Sequence, residues 1–119
     1  MAKTKVLVVD DSSLTRALFE KALVEGGFDV VTASDGFEGL EKFKIESPGI
    51  ILTDLMMPKL DGIEMAKNIR KINKKVPILL ISSEFNKANK ERAEKVGIND
   101  YVFKYFEKKE LIKKLEELL

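Results

Sequence analysis

The stretch KVLVVDDSSLTRALFEKALVEGGFDVV, residues 5–31, contains one complete structural unit and the start of the next. It begins with a short aliphatic run, KVLVV, of the length and composition expected of a strand buried on both faces. Two acids and two serines follow, and apolar residues then recur every three to four positions, which is the spacing of a helix. A second aliphatic run follows Gly26-Gly27. The stretch therefore predicts a strand, a helix and a second strand.

The same alternation continues to the end of the chain. Strands are predicted at 5–9, 29–33, 49–53, 77–81 and 100–104. Helices are predicted at 13–25, 35–46, 62–72, 87–96 and 107–118. Five such units predict an α/β fold of the flavodoxin-like, doubly wound (βα)5 kind, in which a five-stranded parallel sheet in the order 2-1-3-4-5 has helices on both faces. Because no linker or low-complexity tract interrupts the pattern, we expect one domain spanning residues 1–119.

The helix pattern also predicts buried faces and caps. The expected buried residues are Leu14, Leu18, Ala22 and Leu23 in the first helix, Phe37, Leu40 and Phe43 in the second, Ile63, Ala66, Ile69 and Ile72 in the third, and Leu111, Ile112, Leu115, Leu118 and Leu119 in the fifth. The expected caps are Asp35 with Glu38 as a capping box, Asp61, and Asn86 with Gly97 as a C-terminal stop. The fourth helix has only Ala88, Ala93 and Val96 as apolar residues. We therefore expect it to be loosely held and able to move.

Composition excludes several kinds of chemistry. The chain has no Cys and no His, which removes disulfides, Ser-His and Cys-His nucleophile pairs, and zinc sites built on those ligands. The net charge of +1 does not favour a direct nucleic-acid surface. No apolar run has the length of a membrane span and no signal peptide is evident, so a cytoplasmic protein without membrane insertion is expected.

Polar residues stand at the carboxyl ends of four strands that are neighbours in the predicted order. Asp10-Asp11 follow the first strand, Asp54 follows the third, Ser82-Ser83 follow the fourth, and Lys104 ends the fifth. Ligands of open parallel sheets bind beyond these strand ends. The sequence thus predicts three carboxylates, a hydroxyl and an ammonium at one edge of the sheet.

This combination limits the chemistry of the site. Close carboxylates repel one another and take up protons unless a cation neutralises them. Without His or Cys, the natural cation is Mg²⁺, which is held by oxygen ligands and keeps open positions that recruit phosphate. Lys104 and Ser82 could then contact phosphoryl oxygens, and Asp54 could act as a nucleophile that forms an acyl phosphate. Taken singly, each residue has an ordinary explanation as a helix cap, a loop serine or a lysine with a buried stem, and only the joint pattern favours a site.

Five segments resemble the response-regulator receiver domain of two-component signalling, a module that also occurs as a stand-alone chemotaxis regulator. They are VLVVDDS (6–12), DGFEGLE (35–41), ILTDLMMPKLDGIE (51–64), PILLISS (77–83) and GINDYVFK (97–104). The resemblance implies a signalling switch, not an enzyme that turns over small molecules, in which Asp54 accepts a phosphoryl group from a sensor histidine kinase or a phosphotransfer protein. It also implies a changed surface of the fourth helix, fifth strand and fifth helix, which a downstream protein or a fused output domain recognises.

The resemblance assigns a role to each site residue. It implies that Mg²⁺ is held by Asp10, Asp11, Asp54 and the backbone carbonyl of Met56. Lys104 would pair with the carboxylate or the phosphoryl group. Ser82 would be the switch hydroxyl and Tyr101 the switch aromatic. Met56 and Glu84 resemble positions that tune dephosphorylation, whereas Pro58 and Gly62 are turn residues without a chemical role.

The chain departs from the family pattern after the fifth strand. The family usually has Lys-Pro with a cis peptide bond, where this chain has Lys104-Tyr105. Because a cis bond before a residue other than proline costs about 2.5–4 kcal/mol, we expect a trans bond and a somewhat different loop. After the switch hydroxyl the family usually has a small residue, and this chain has Ser83 there, which is a mild change.

Three other functions share parts of the pattern. A flavodoxin-like FMN binder has the same topology, but Asp10-Asp11 would repel its phosphate. A haloacid-dehalogenase-like phosphohydrolase also uses an aspartate and Mg²⁺, but its Asp-x-Asp motif is absent. A receiver-like docking module that is not phosphorylated remains an alternative, and Tyr105 is the feature that favours it.

Overall fold

The computed structural model describes residues 3–83 and 85–119, and in these ranges the predicted alternation of strands and helices is confirmed. The strands are Lys5–Val9 (β1), Asp29–Ala33 (β2), Ile50–Asp54 (β3), Ile78–Ser82 (β4) and Asp100–Phe103 (β5). The helices are Ser13–Glu25 (α1), Gly36–Glu46 (α2), Gly62–Ile72 (α3), Lys87–Val96 (α4) and Lys108–Leu118 (α5). None of these helices has the length and apolar character needed to cross a membrane.

All strand pairs are parallel, and the sheet order is β2-β1-β3-β4-β5, as predicted. The central strands β3 and β4 are buried along their whole length, because helices cover both faces of the sheet. Both strands begin and end one residue later than predicted, so Asp54 and Ser82 are the last residues of their strands. Strand β5 ends one residue early at Phe103, which places Lys104 just beyond it.

Two apolar cores lie on opposite faces of the sheet. One core packs α2, α3 and α4 against the sheet, with Phe43, Met65 and Ile69 among its buried side chains. The other packs α1 and α5 against the opposite face, with Phe19 and Leu115 among its members. Consecutive residues of each strand contribute to different cores, because side chains alternate across a strand. The fold is therefore a three-layer α/β sandwich.

The predicted buried face of α1 was partly wrong. Phe19 and Leu23 are fully buried and Ala22 lies at the margin of the buried stripe, whereas Leu14 and Leu18 are 70% and 54% exposed. Residues 14, 18 and 22 are spaced by four and form one row along the helix. This row follows the edge of the buried stripe, so its first two members point into solvent. Phe37, Ile72 and Leu119 were also expected in the core and are exposed.

The helix caps agree with the sequence except in one detail. Asp35 accepts a hydrogen bond from the Glu38 N–H, but the Glu38 side chain accepts from the Ser34 N–H, so the reciprocal bond of a capping box is not formed. A complete capping box joins Asp61 and Glu64 at the start of α3. Asn86 caps α4, and Gly97 ends α4 in the left-handed conformation (φ 85°).

Candidate functional site

Three carboxylates meet at the carboxyl edge of the sheet. Asp10 follows β1 directly, Asp11 comes next, and Asp54 ends β3. One oxygen of each side chain lies within 4.8 Å of the other two. Asp10 is fully buried and Asp54 is 4% exposed, whereas Asp11 is exposed at the rim. The expected meeting of these acids is therefore present in the structure.

The start of α1 holds Asp10 in place. The Asp10 N–H donates to the Ala33 carbonyl at 3.1 Å, which extends the pairing of β1 with β2 by one residue. The Ser12 N–H donates to Asp10 Oδ1 at 2.9 Å, and the Ser12 hydroxyl caps α1 by accepting from the Thr15 N–H. Arg16 donates from Nη1 to the Asp10 carbonyl at 2.6 Å. Sequence reasoning missed Arg16, because its spacing from Asp10 gives no signal until the helix turns it back to the strand end.

The loop after β3 folds back onto Asp54. The Leu55 N–H donates to the Ile81 carbonyl at 3.1 Å, and the Gly62 N–H donates to the Leu55 carbonyl at 3.0 Å. The backbone N–H of Met56 donates to the Asp54 carboxylate, whereas the Met56 side chain is exposed. A Cβ atom on Gly62 would overlap the Asp54 carbonyl, so only glycine allows this approach. Gly62 was expected to be a turn residue, but it is the first residue of α3. A glycine is required at this position because there is no space for a side chain.

The electrostatics of the cluster favour a cation. Burial and the neighbouring Asp10 raise the pKa of Asp54 to about 6, against the opposing effect of Lys104. Burial also raises the pKa of Asp10, although the Ser12 N–H and Lys104 oppose it. Among the described residues, the buried Asp10 Oδ2 atom has no hydrogen-bond partner. An unsatisfied carboxylate oxygen beside two other acids is a donor set that suits a hard divalent cation.

Lys104 supplies the positive charge of the site. Its backbone N–H donates to the Ser82 carbonyl at 3.0 Å, and its ammonium lies 3.5 Å from Asp54 Oδ2. Burial lowers the Lys104 pKa, but the carboxylates of Asp54 and Asp10 outweigh this effect and leave it above its usual value. No peptide bond in the described chain is cis, so the expected trans bond between Lys104 and Tyr105 is confirmed. The ammonium reaches Asp54 from a trans peptide.

The two residues expected to act as a switch lie on neighbouring strands. Ser82 is buried at the end of β4, paired in register with Phe103 of β5. Tyr101 is half-buried on β5, and its hydroxyl donates to the Lys90 carbonyl of α4 at 3.5 Å. The ring of Phe85 contacts Tyr101 edge-on at 5.0 Å. Sequence reasoning did not assign Phe85, and Glu84 lies outside the described residues.

A groove of about 860 Å³ runs along the open edge of β5 between α4 and α5. Its lining includes Lys90 from α4, Tyr101 and Phe103 from β5, and Lys114 from α5. The Phe103 ring is exposed, whereas Tyr101 is partly covered by Phe85. Ser83, the residue after Ser82, also lines the groove, so the groove reaches the end of β4.

The chain is similar to known proteins in sequence and in fold. The chain is 38% identical over 115 residues to the alkaline phosphatase synthesis transcriptional regulatory protein PhoP of Bacillus subtilis, covering 97% of this chain and 48% of that protein. The chain spans about half the length of this protein and of other curated relatives that it matches. The chemotaxis protein CheY4 of Vibrio cholerae superposes with a TM-score of 0.95 at 34% identity, covering 99% of this chain and all of that one.

A second solved structure resembles the chain in fold and contains a metal ion. It is the receiver domain of the sensor histidine kinase PA1611 from Pseudomonas aeruginosa, with a magnesium ion coordinated in its active-site cleft. It superposes with a TM-score of 0.90 at 27% identity and covers 98% of each chain. The sequence model of the response regulator receiver domain matches residues 6–116. The chain therefore belongs to the response regulator receiver domain family, whose members are two-component signalling switches phosphorylated on aspartate.

Proposed function

We propose that residues 1–119 form a single receiver domain in which Asp54 accepts the phosphoryl group. The observation that carries this proposal is the setting of the Asp54 carboxylate. It is buried at the end of β3, within 4.8 Å of oxygens of Asp10 and Asp11, and 3.5 Å from the Lys104 ammonium. Of the three clustered acids, Asp54 is the one that the ammonium contacts. Its position suits a nucleophile whose charge is balanced on one side by a cation.

We propose that Mg²⁺ is held by Asp10, Asp11, Asp54 and the backbone carbonyl of Met56. The unsatisfied Asp10 oxygen and the raised pKa values of Asp10 and Asp54 support a cation at this position. The magnesium ion in the related receiver domain of PA1611 supports the choice of metal. When bound, Mg²⁺ neutralises the carboxylates and the charge that develops on the phosphoryl oxygens during transfer.

The transfer itself asks little covalent chemistry of the chain. A carboxylate oxygen of Asp54 attacks the phosphorus of a phosphohistidine, the P–N bond breaks, and its electron pair stays on the imidazole nitrogen. The product on this chain is an acyl phosphate. The Lys104 ammonium, which remains charged because its pKa is raised, pairs with the new phosphoryl oxygens. The donor would be a sensor histidine kinase or a phosphotransfer protein in the cytoplasm.

The phosphoryl group changes the charge of the site, and the output surface would respond to it. It brings roughly −1.5 to −2 charges and strong acceptor oxygens beside Lys104 and the Ser82 hydroxyl. A shift of Ser82 would disturb Tyr101 and Phe85, which line or border the groove between α4 and α5. We propose this groove as the surface that a downstream protein or a fused output domain reads. On this proposal the chain turns over no small molecule, and contact with DNA, where it occurs, belongs to an output domain.

The test is incubation with Mg²⁺ and acetyl phosphate, followed by intact-mass measurement. We expect the mass of one phosphoryl group on the wild-type chain and none on Asp54→Asn. Asp61→Asn is the matched control, because Asp61 lies on the same loop and asparagine is as good a helix cap as aspartate. Omission of Mg²⁺ should also abolish the added mass.

Two results would contradict the proposal. Unchanged phosphorylation of Asp54→Asn would place the acceptor elsewhere. A wild-type chain that stays unmodified by both acetyl phosphate and histidine kinases would favour the docking module that is not phosphorylated.

A further inference from the structure

The residue that follows Lys104 does not hold it in place. Tyr105 is 87% exposed and takes part in none of the ring contacts of the described chain. The peptide bond between the two residues is trans, and they form a bend outside β5. Lysine has a flexible four-carbon stem and a large rotamer entropy. The carboxylates attract the ammonium, but its 3.5 Å contact with Asp54 also depends on where the backbone places the start of the Lys104 side chain.

Two contacts restrain the backbone on either side of this bend. Before it, the Lys104 N–H donates to the Ser82 carbonyl of β4 at 3.0 Å. After it, the Phe106 ring packs on Phe19, with ring centroids 4.4 Å apart and ring planes inclined by 35°. Phe19 is fully buried, and Phe106 joins the core formed by α1 and α5. The bend is thus held by a hydrogen bond at one end and a core contact at the other.

The contact between Phe19 and Phe106 also connects the helix that holds Asp10 with the segment that carries Lys104. Phe19 lies on α1, the helix whose first turn holds Asp10 through the Ser12 N–H and the Arg16 guanidinium. Phe106 lies two residues after Lys104. A displacement of Phe106 from Phe19 would free the bend to move relative to α1, while the hydrogen bonds that hold Asp10 would remain. Such a change would affect the position of the ammonium without affecting the carboxylates.

We propose that Phe106, packed on Phe19, is the positioning residue that directs Lys104 at Asp54. This inference rests on the proposed function, because it assigns Phe106 a role in the same phosphoryl transfer. The phenyl ring of Phe106 has no group that could bind a metal ion or donate a conventional hydrogen bond to a phosphoryl oxygen. It acts through Lys104 alone.

The test compares phosphorylation rates with acetyl phosphate at saturating Mg²⁺ for Phe106→Ala, Phe106→Leu and Tyr105→Ala. We expect Phe106→Ala to lower the rate constant by about tenfold to a hundredfold, the order of loss expected when a reacting group is misplaced by about 1 Å. Phe106→Leu, which still fills the core, should recover most of the rate. Tyr105→Ala is the matched control from the same bend and should retain the wild-type rate. The Mg²⁺ dissociation constant, measured by calorimetry, should stay within about twofold of wild type, because the proposed carboxylate ligands stand at the ends of β1 and β3 and not in the bend.

A double mutant separates positioning from general loss of structure. In a Lys104→Ala background, Phe106→Ala should produce no further loss of rate, because Phe106 has nothing left to position. A further loss there, a weakened Mg²⁺ affinity or a wild-type rate in Phe106→Ala would each overturn the proposal.

A second readout does not depend on phosphorylation. The side-chain ammonium protons of Lys104, observed by NMR in the Mg²⁺-free protein, should exchange more slowly than those of exposed lysines in wild type. In Phe106→Ala they should exchange as fast as in the exposed lysines. Slow exchange retained in that variant would refute the positioning role, whereas failure of wild-type phosphorylation alone would refute only the proposed function.

Discussion

Lys104 stays charged because it lies at the edge of a cluster of three acids. At the scale of single residues, the site is a balance between burial and charge. Burial raises the pKa values of Asp10 and Asp54, and the Lys104 ammonium offsets only part of that effect. In the protein without a bound cation, burial therefore destabilises the ionised forms of these carboxylates. Replacing one of them with a neutral side chain should stabilise the fold.

The first residue-scale prediction concerns pH and Asp54 in the presence of a chelator. The Asp54 pKa is about 6 in the folded chain against 3.8 as the reference value, so the folded state binds its proton more tightly than the unfolded state does. This contribution to the free energy of unfolding is present below pH 4, is lost as pH rises to 6, and stays lost above it. The loss would be about 3 kcal/mol at most. Asp54→Asn should remove this fall and be more stable than wild type at pH 7.

Urea unfolding curves from pH 4 to pH 7 measure this difference. Glu41→Gln is a suitable control, since Glu41 is exposed and belongs to none of the ion pairs among the described residues. A wild-type stability that rises over this pH range while that of Asp54→Asn does not would contradict the prediction.

A second prediction at this scale concerns Gly62, whose missing side chain lets α3 start against the Asp54 carbonyl. Gly62→Ala would place a methyl group against the backbone carbonyl of Asp54, which cannot shift without moving the strand end. We therefore expect a loss of about 1–3 kcal/mol in the free energy of unfolding. Gly49→Ala is the matched control, because the nearest atom there is a side-chain methyl of Thr4 at 3.1 Å. Equal losses in the two variants, measured by urea unfolding, would show that the approach to Asp54 is not the cause.

At the scale of secondary-structure elements, α3 and α4 differ sharply although they are neighbours on one face of the sheet. Helix α3 buries Gly62, Ile63, Met65, Ala66 and Ile69, whereas α4 buries Ala93 alone. An ion pair of 3.0 Å joins Arg92 of α4 to Asp61 at the start of α3. A half-exposed pair of this kind contributes little to stability. Helix α4 is therefore the helix on this face that can be displaced at the lowest cost.

This difference predicts faster hydrogen exchange in α4 than in α3. Amide protons exchange through local opening, and a helix with little buried apolar surface opens at a lower free energy. We expect central amides of α4, such as those of Glu91 and Arg92, to be protected several-fold less than those of Lys67 and Asn68 in α3. Exchange followed by NMR measures both helices in one sample, so α3 is the internal control. Equal protection would show that α4 is not the loosely held element.

At the scale of the whole molecule, a ligand that binds only the folded chain stabilises all of it. The acids of the site stand at the ends of β1 and β3, so no part of the unfolded chain presents all three together. Addition of Mg²⁺ at about one hundred times its dissociation constant should raise the free energy of unfolding by about 2.7 kcal/mol. The thermal midpoint of wild type should rise with Mg²⁺, and that of Asp10→Asn should rise much less.

NaCl at the same ionic strength is the control for this measurement, since it screens charges without occupying the site. A midpoint that rises equally with NaCl, or equally in Asp10→Asn, would mean that Mg²⁺ acts only by screening. Either result would remove the support for a metal site at these acids.

The sequence alone determined the order of the elements, the sheet topology and the identity of the residues at the strand ends. It could do so because buried parallel strands appear as short aliphatic runs, helices follow a different period, and parallel strands place their carboxyl ends at one edge. It could not determine which side of a helix is buried when apolar residues cover more than one row, as Leu14 and Phe19 do in α1.

Only the tertiary structure decided the contacts between residues far apart in the chain. The Arg16 guanidinium turns back to the Asp10 carbonyl, and Phe106 packs on Phe19. Neither contact could be predicted from the spacing of the residues in the sequence. Each depends on how the helices pack against the sheet, and that packing is a property of the whole chain.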